Sequence, residues 1–403
     1  MCGGIGTDGG DETVVVLFYC YQGLGAEGAA QLAEEQQRLG AELRLSGRVL
    51  VALEGINGTV QGGSAAVTAY EVAVQRFFNT RIDWKRSAAS EQNLFPDFVV
   101  KQVSELVGFG LQEAKPLDVH AEGGTHLSPE EFHSRLLQNS EELRIIDVRN
   151  TFEYDVGHFD GAIDPGMTHT AQWPRYVKDN IQDLRGRTVM LYCTGGIRCE
   201  KASAYLRRRL NDLGDSSTPV FQLEGGIHRY LEAFPDGGHF QGANFVFDKR
   251  AQMRSASTSV VGRCSECSSA WDTHHGGRVC AVCRALVLVC DACDATSSGE
   301  YWCPEHSEMK GIYHHFLDRF TAEELQLQAG ALQSCLAKEV GTRKKNRRNT
   351  LRKKLTQVEA RLAVLTRSGA CPGPPIRRCR ACERPYSECP GSCWGFWRRT
   401  EPE

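Results

Sequence analysis

The sequence predicts a multidomain α/β chain, and three observations carry that expectation. Residues 13–115 read strand-helix-strand-strand-helix-strand, the order of two interlocked split units in a ferredoxin-like sandwich. Residues 125–250 alternate short apolar runs with amphipathic helices, the pattern of a parallel sheet with helices on both faces. Residues 260–310 set cysteine and histidine pairs at metal-binding spacing, and a helical segment, 320–368, follows. Residues 1–12 read as a flexible N-terminus and 370–403 as a last Cys-rich segment. With 403 residues and 41 % hydrophobic content, the chain is long enough for several cores.

In the first domain TVVVLFYCY is an apolar strand from Thr13, and GAEGAAQLAEEQQRLG places alanines and leucines at helical spacing. GRVLVALEGINGTVQ then reads as two strands, with Asn57-Gly58 supplying the hairpin turn. SAAVTAYEVAVQRFF, Ser64 to Phe78, is the second helix, and FVVKQVSELVGFG is the closing strand. A polar gap precedes the second domain, where Ser128, Pro129 and Glu131 form a capping box that starts a helix. ELRIIDVR and GRTVMLYC are buried-type strands, EKASAYLRRRL is a helix, and TPVFQLEGGIHRYLEAF is strand then helix. Farther on, Thr321 and Glu324 make another capping box. Leu351, Leu355, Val358, Leu362 and Leu365 form a stripe too short for a coiled coil, so it is expected to pack back on its own domain.

The stretch Cys193-Thr194-Gly195-Gly196-Ile197-Arg198 joins an apolar strand to a helix, which places the Cys193 sulfur at the carboxyl end of a parallel strand. Helix-start amides, the helix dipole and the Arg198 guanidinium all favour a thiolate there. Cys193 therefore reads as a reactive nucleophile or as a carrier of oxygen or sulfur. Cys199 is expected to pack under the helix, with a Cys193–Cys199 redox pair as the alternative. Asp147 and Arg149 end a neighbouring strand, and His228 and Arg229 open the last helix of the domain. Together they either line a crevice that holds an RNA phosphate or acidic cofactor, or make structural contacts.

Those residues carry a family resemblance. DVRNTFEYDVGHFDGAI followed by CTGGIR resembles a rhodanese domain, and ALEGINGTVQG, FQLEGGIHRYLE and FVFDKR extend the likeness to the UPF0176 family of tRNA uridine hydroxylases. It covers roughly Val14 to His306. The resemblance implies an acylphosphatase-like N-terminal domain beside the rhodanese domain, an essential cysteine at Cys193, and hydroxylation of the tRNA wobble uridine to 5-hydroxyuridine. It implies molecular oxygen as co-substrate, a need for prephenate in the cell, and tRNA as partner. It also implies that Glu54 to Thr59 helps to position tRNA. Two readings compete: a sulfurtransferase carrying a persulfide on Cys193, and a non-catalytic zinc- and RNA-binding scaffold. The Cys-x4-Arg loop is one residue shorter than a phosphatase cradle, which argues against a phosphatase.

The 17 cysteines do not suggest a secreted disulfide scaffold, because most fall in pairs after residue 263. Cys264/Cys267, Cys280/Cys283, Cys290/Cys293 and Cys303/His306 supply eight ligands, enough for two structural zinc ions, and Cys379, Cys382, Cys389 and Cys393 are candidates for a third. The spacing leaves open whether the pairs combine sequentially or interleaved.

The net charge of −3 hides a division: residues 343–403 carry +11 and the rest −14. Eight of the basic residues lie between Arg343 and Lys354, a run suited to nucleic-acid phosphates or to nuclear localisation. No window approaches the roughly 20 apolar residues of a membrane helix, so the expectation is a soluble intracellular protein, cytoplasmic or, through the basic run, nuclear. Nothing in the sequence fixes an oligomeric state.

Overall fold

A computed structural model of the chain describes residues 12–89, 94–111, 116–138, 141–248, 250, 252–256, 259–297, 299–339, 345–368 and 384. The chain divides into two units, Met1–Val261 and Gly262–Glu403. Cys379, Cys382, Cys389 and Cys393 lie outside the described residues.

The first unit begins with β1 (Thr13–Tyr21), α1 (Gly25–Glu42), β2 (Ser46–Ala52), β3 (Gly55–Gly63), α2 (Ser64–Gln75), β4 (Lys85–Ala88) and β5 (Phe98–Gln102). Their sheet has the order β4-β1-β3-β2-β5, antiparallel except for the β2/β5 edge. Leu32, Leu39, Val67, Tyr70 and Val74 of the two helices pack on Val16, Phe18, Val49, Val51 and Val60 of the strands.

Two expectations fail here. The strand that closes the ferredoxin-like order beside β1 is β4, whereas β5 adds to the opposite edge, parallel to β2. The sequence of β4, KRSA, is short and polar and gives no apolar signal. In addition, Asn57-Gly58 is not the hairpin turn. Leu53 and Glu54 make the turn, and Asn57-Gly58 lies inside β3, hydrogen-bonded to strands on both sides. A Cβ at Gly58 would come within 2.7 Å of the Phe18 ring, so this glycine serves close packing rather than chain reversal.

The chain continues through α3 (Val119–Glu122), β6 (Thr125–Leu127), α4 (Pro129–Leu137), β7 (Leu143–Asp147), α5 (Thr151–Tyr154), β8 (Gly157–Phe159), α6 (Trp173–Leu184), β9 (Thr188–Tyr192), α7 (Ile197–Asp212), β10 (Val220–Leu223), α8 (Gly226–Ala233), β11 (Phe240–Phe245) and β12 (Gln252–Arg254). The capping box forms at Ser128 as expected, with Glu131 closing it. Strands β6-β10-β9-β7 make an all-parallel sheet. Alternate residues feed two cores: Ile146, Val189 and Leu191 meet Trp173, Val177 and Leu206, while Ile145, Met190 and Tyr192 meet Phe132, Ile227 and Tyr230.

The first and second domains lie together in the first unit. Lys201 of α7 is buried at their junction and its ammonium bonds Glu54 (3.1 Å) in the β2–β3 turn and Glu105 (2.8 Å). Glu54 also accepts from the amide of Leu106. The EGINGT turn thus fastens the first domain to the helix that follows the cysteine loop.

The second unit holds the paired cysteines, α9 (Asp291–Thr296), α10 (Ala322–Lys338) and α11 (Lys345–Ser368). Thr321 and Glu324 form their capping box. Leu351, Val358 and Leu365 are buried in one cluster with Leu325 and Leu332 of α10, so the leucine stripe packs within its own unit. Among the described residues no helix is long and apolar enough to cross a membrane.

Replacing Lys201 by Met leaves the first-domain carboxylates Glu54 and Glu105 at the junction without their cation, and urea unfolding should register a loss of about 1–3 kcal/mol. Unchanged stability would show that the contact does not hold the domains together.

Candidate active site

Strand β9 lies inside the parallel sheet between β10 and β7, so its last residue, Tyr192, delivers Cys193 to the carboxyl edge. The chain then turns through Gly196 at φ +100° and enters α7 at Ile197. The Gly196 amide donates to Cys193 Sγ at 3.1 Å. Cys193 is fully buried.

Burial alone would raise the Cys193 thiol. The opposing influences win: a hydrogen bond from Cys199, the charge of Arg198, and the amides of Cys199 and Arg198 bring it down to about 6. Cys199 moves the other way, pushed well up by burial and by Cys193, so it stays protonated and donates. It packs in the core as expected and also stabilises its neighbour's charge. At neutral pH Cys193 is a thiolate and Cys199 a thiol, a donor pair rather than two equivalent sulfurs.

Arg198 does not project as an open anion cradle. Its guanidinium makes a bidentate pair with Glu153 of α5 (2.6 and 2.8 Å) and donates to Thr194 Oγ1 (3.0 Å). Glu153 is wholly buried; burial favours its neutral form, yet Arg198 and Arg149 hold it ionised. Gly195 and Ile197 complete the loop. A Cβ at Gly195 would meet Leu17 at 2.8 Å and one at Gly196 would meet the Tyr19 hydroxyl at 2.8 Å, because β1 of the first domain lies against the loop.

The expected crevice divides. Asp147 and Arg149 form a buried ion pair (2.6 Å), with Arg149 also donating to the Gly157 carbonyl, so neither is placed to hold a phosphate. His228 is buried; its amide donates to the Thr194 carbonyl at 3.0 Å, and its ring faces Glu232 at 3.3 Å. Arg229 pairs with Asp83 and Glu232 and donates to the Trp84 carbonyl, which joins α8 to the first domain. Gly226, at φ +65°, explains the approach of α8: a Cβ there would lie 2.5 Å from the Cys193 carbonyl.

Several residues of the site escape a sequence reading. Glu200 is nearly buried and accepts from the Tyr19 hydroxyl (3.0 Å), from His126 Nε2 (2.9 Å) and from Gln222 (2.8 Å). Lys85 is buried beneath the Tyr19 ring and paired with Asp83 (2.6 Å). Glu153 sits inside a stretch that carries the resemblance and Glu200 in the helix after the loop, but only the fold brings their partners together. Tyr19 and Lys85 come from another domain and leave no local signal.

Residues 13–106 match the model of the UPF0176 acylphosphatase like domain, residues 128–233 the Rhodanese-like domain and residues 241–307 the Rhodanase C-terminal model. The chain is 34 % identical to the tRNA uridine(34) hydroxylase of Corynebacterium jeikeium (strain K411) over 290 residues, which is 71 % of this chain and 91 % of that one. The chain belongs to the UPF0176 family. The protein of the same printed name from Arthrobacter sp. (strain FB24) is 35 % identical over 72 % of this chain and 97 % of its own. Rhodanese-like domain-containing protein 6 of Arabidopsis thaliana is 36 % identical over 62 % of this chain, a match that spans 46 % of that longer protein.

In this UPF0176 chain the eight paired ligands gather into two clusters. Cys264, Cys267, Cys290 and Cys293 form one, and Cys280, Cys283, Cys303 and His306 the other, with all ligand atoms of each within 4.8 Å of one another. The pairs are therefore interleaved, first with third and second with fourth. The Cys267–Cys290 and Cys283–Cys303 sulfur separations are both 3.7 Å. That is close to the edge of about 3.8 Å expected for a tetrahedron with zinc–sulfur bonds of about 2.3 Å.

Thiolate absorbance at 240 nm, taken as the difference between the wild type and Cys193→Ser, should titrate with a midpoint near 6. The signal is lost as pH falls through that value. Cys199→Ala should raise the midpoint by about one unit by removing a donor. A midpoint near the ordinary thiol value in the wild type would refute the thiolate assignment.

Proposed function

We propose that this protein hydroxylates the wobble uridine of tRNA: one atom of molecular oxygen replaces the C5–H of uracil by C5–OH, the other leaves as water with two electrons and two protons from an external reductant, and Cys193 is the reactive thiolate. The observation that carries the reading is the loop itself, set in a chain that matches tRNA uridine(34) hydroxylases over nearly their whole length. Its cysteine is ionised at neutral pH, shielded from water, and covered by a first domain that the same relatives share. The Arg198–Glu153 pair serves to hold that loop in shape and to bring positive charge near the sulfur.

A persulfide on Cys193 is the second reading, since the same amides would stabilise a terminal sulfur. Against it, Arg198 is committed to Glu153 and is not open to an incoming thiosulfate. Substrate tRNA makes the cytoplasm the place of action. We assign the exposed basic residues of α11, Arg352 and Lys353 among them, to tRNA phosphates. Lys354 is not one of these, because it is buried over the Tyr313 ring, and Arg347 pairs with Glu308 and Glu339.

We assign one zinc ion to each interleaved cluster. Three or four thiolates with at most one imidazole are a structural zinc donor set, and the clusters offer no open position for catalysis. Zinc bound there holds together a segment with little apolar core, at a binding free energy on the order of 10 kcal/mol per site.

Nucleosides of tRNA from cells with the protein, without it, and with Cys193→Ser should contain 5-hydroxyuridine only in the first case. Equal content in all three, together with sulfur transfer from thiosulfate to cyanide by the purified protein, would establish the second reading instead. For the metal, Cys267→Ser and Cys283→Ser should each lower the zinc content by about one ion per chain. Chelation of the wild type should expose residues 264–306 to protease; resistance to proteolysis after complete chelation would contradict a structural role.

A further inference from the structure

Between the two domains of the first unit lies a cleft of about 510 Å³, walled by Tyr19, Thr80 and Arg81 on one side and by His126, Glu200 and Glu224 on the other. It adjoins the cysteine loop. The Tyr19 hydroxyl on its wall lies where a Gly196 Cβ would come within 2.8 Å, and the Gly196 amide bonds the Cys193 sulfur. Tyr19 thus stands between the cleft and the loop that carries the reactive sulfur.

The strand pairing fixes what the far wall presents. His126 of β6 stands opposite Gln222 of β10, and Glu224, in the turn just after β10, lines the same cleft. His126 is half exposed and held by Glu200, whose carboxylate Oε1 accepts from Nε2. That carboxylate keeps the imidazole charged to higher pH than usual, with Glu224 adding to the effect. The exposed Glu224 carboxylate is a pure acceptor. The wall thus sets an imidazole N–H donor beside a carboxylate acceptor. Asp83, the other carboxylate at the cleft, is neutralised by Lys85 and Arg229, and the exposed Arg81 supplies a cation at the opening.

We propose that this cleft is the pocket for the target nucleotide, in which His126 donates to uracil O4, Glu224 accepts from uracil N3–H, and Arg81 meets the adjacent phosphate. The inference rests on the hydroxylase reading and goes beyond it by naming what selects the base. Uracil presents a carbonyl acceptor next to an N–H donor, which matches this wall. Cytosine presents an amino donor next to a bare ring nitrogen, so both contacts become mismatched. The volume suits one nucleotide extruded from a single-stranded loop, the usual form in which an RNA base is read along its pairing edge.

The test uses the full chain and two synthetic anticodon stem-loops that differ only in uridine or cytidine at position 34, with binding read by fluorescence anisotropy. The wild type should prefer the uridine form by about tenfold or more. His126→Ala and Glu224→Ala should each bring the preference to within about twofold. Arg81→Ala should weaken both forms by about threefold and keep the preference. Thermal unfolding of each variant reports on folding, and Arg81, being exposed, gives a variant that perturbs no core. The proposal is overturned if the wild type does not discriminate, or if His126→Ala and Glu224→Ala discriminate as the wild type does. Base preference that depends on His126 and Glu224, in a protein whose presence leaves cellular 5-hydroxyuridine unchanged, would support the pocket while refuting the hydroxylase reading.

Discussion

A charged sulfur buried at the end of a strand is the constraint on which the rest of the first unit depends. Removing an anion from water is costly unless donors replace the water. Here the donors are the Gly196 amide, the Cys199 thiol and amide, and the neighbouring Arg198. Arg198 is itself a buried charge, so Glu153 must pair with it, and Glu153 is in turn ordered by the Asn150 capping box and by Thr194. The loop glycines follow from the same requirement, because side chains at Gly195, Gly196 or Gly226 would push apart the elements that exclude solvent.

The acylphosphatase-like domain belongs to this arrangement. Leu17 and Tyr19 of its first strand press on the loop glycines, Glu54 at its hairpin holds Lys201, and Asp83 near its fourth strand holds Arg229. Each partner on the other side lies within or just beyond the elements that carry the loop. The packing around the cysteine loop is therefore a property of two domains together.

Much of this was legible in the residues. The Cys193 loop, the parallel sheet, the capping boxes at Ser128 and Thr321 and the four metal-ligand pairs each depend on local spacing, and local spacing is what a sequence displays. What stayed hidden depends on pairing over distance. The four residues of β4 have no apolar pattern, and only the exposed edge of β1 makes them a strand. Asn57-Gly58 has turn chemistry, yet two flanking strands and the Phe18 ring outweigh it. Asp147 and Arg149 look equally suited to an ion pair or to an open crevice until their burial is known. Glu200 reads as one acidic residue in a helix, and its partners come from residues 19, 126 and 222.

The interleaving of the ligand pairs sets an order on assembly. Cys264 and Cys267 leave the ribosome first but find their partners only at Cys290 and Cys293, after Cys280 and Cys283 have already been made. Four thiols of two different sites are then present together with neither site complete. Wrong combinations, such as the first pair with the second, are open until the third pair arrives. Closure of the first cluster then encloses the second pair in a loop before Cys303 and His306 are made. The module is consequently most exposed to mispairing and oxidation during its own synthesis, and least so once the last ligand is in place.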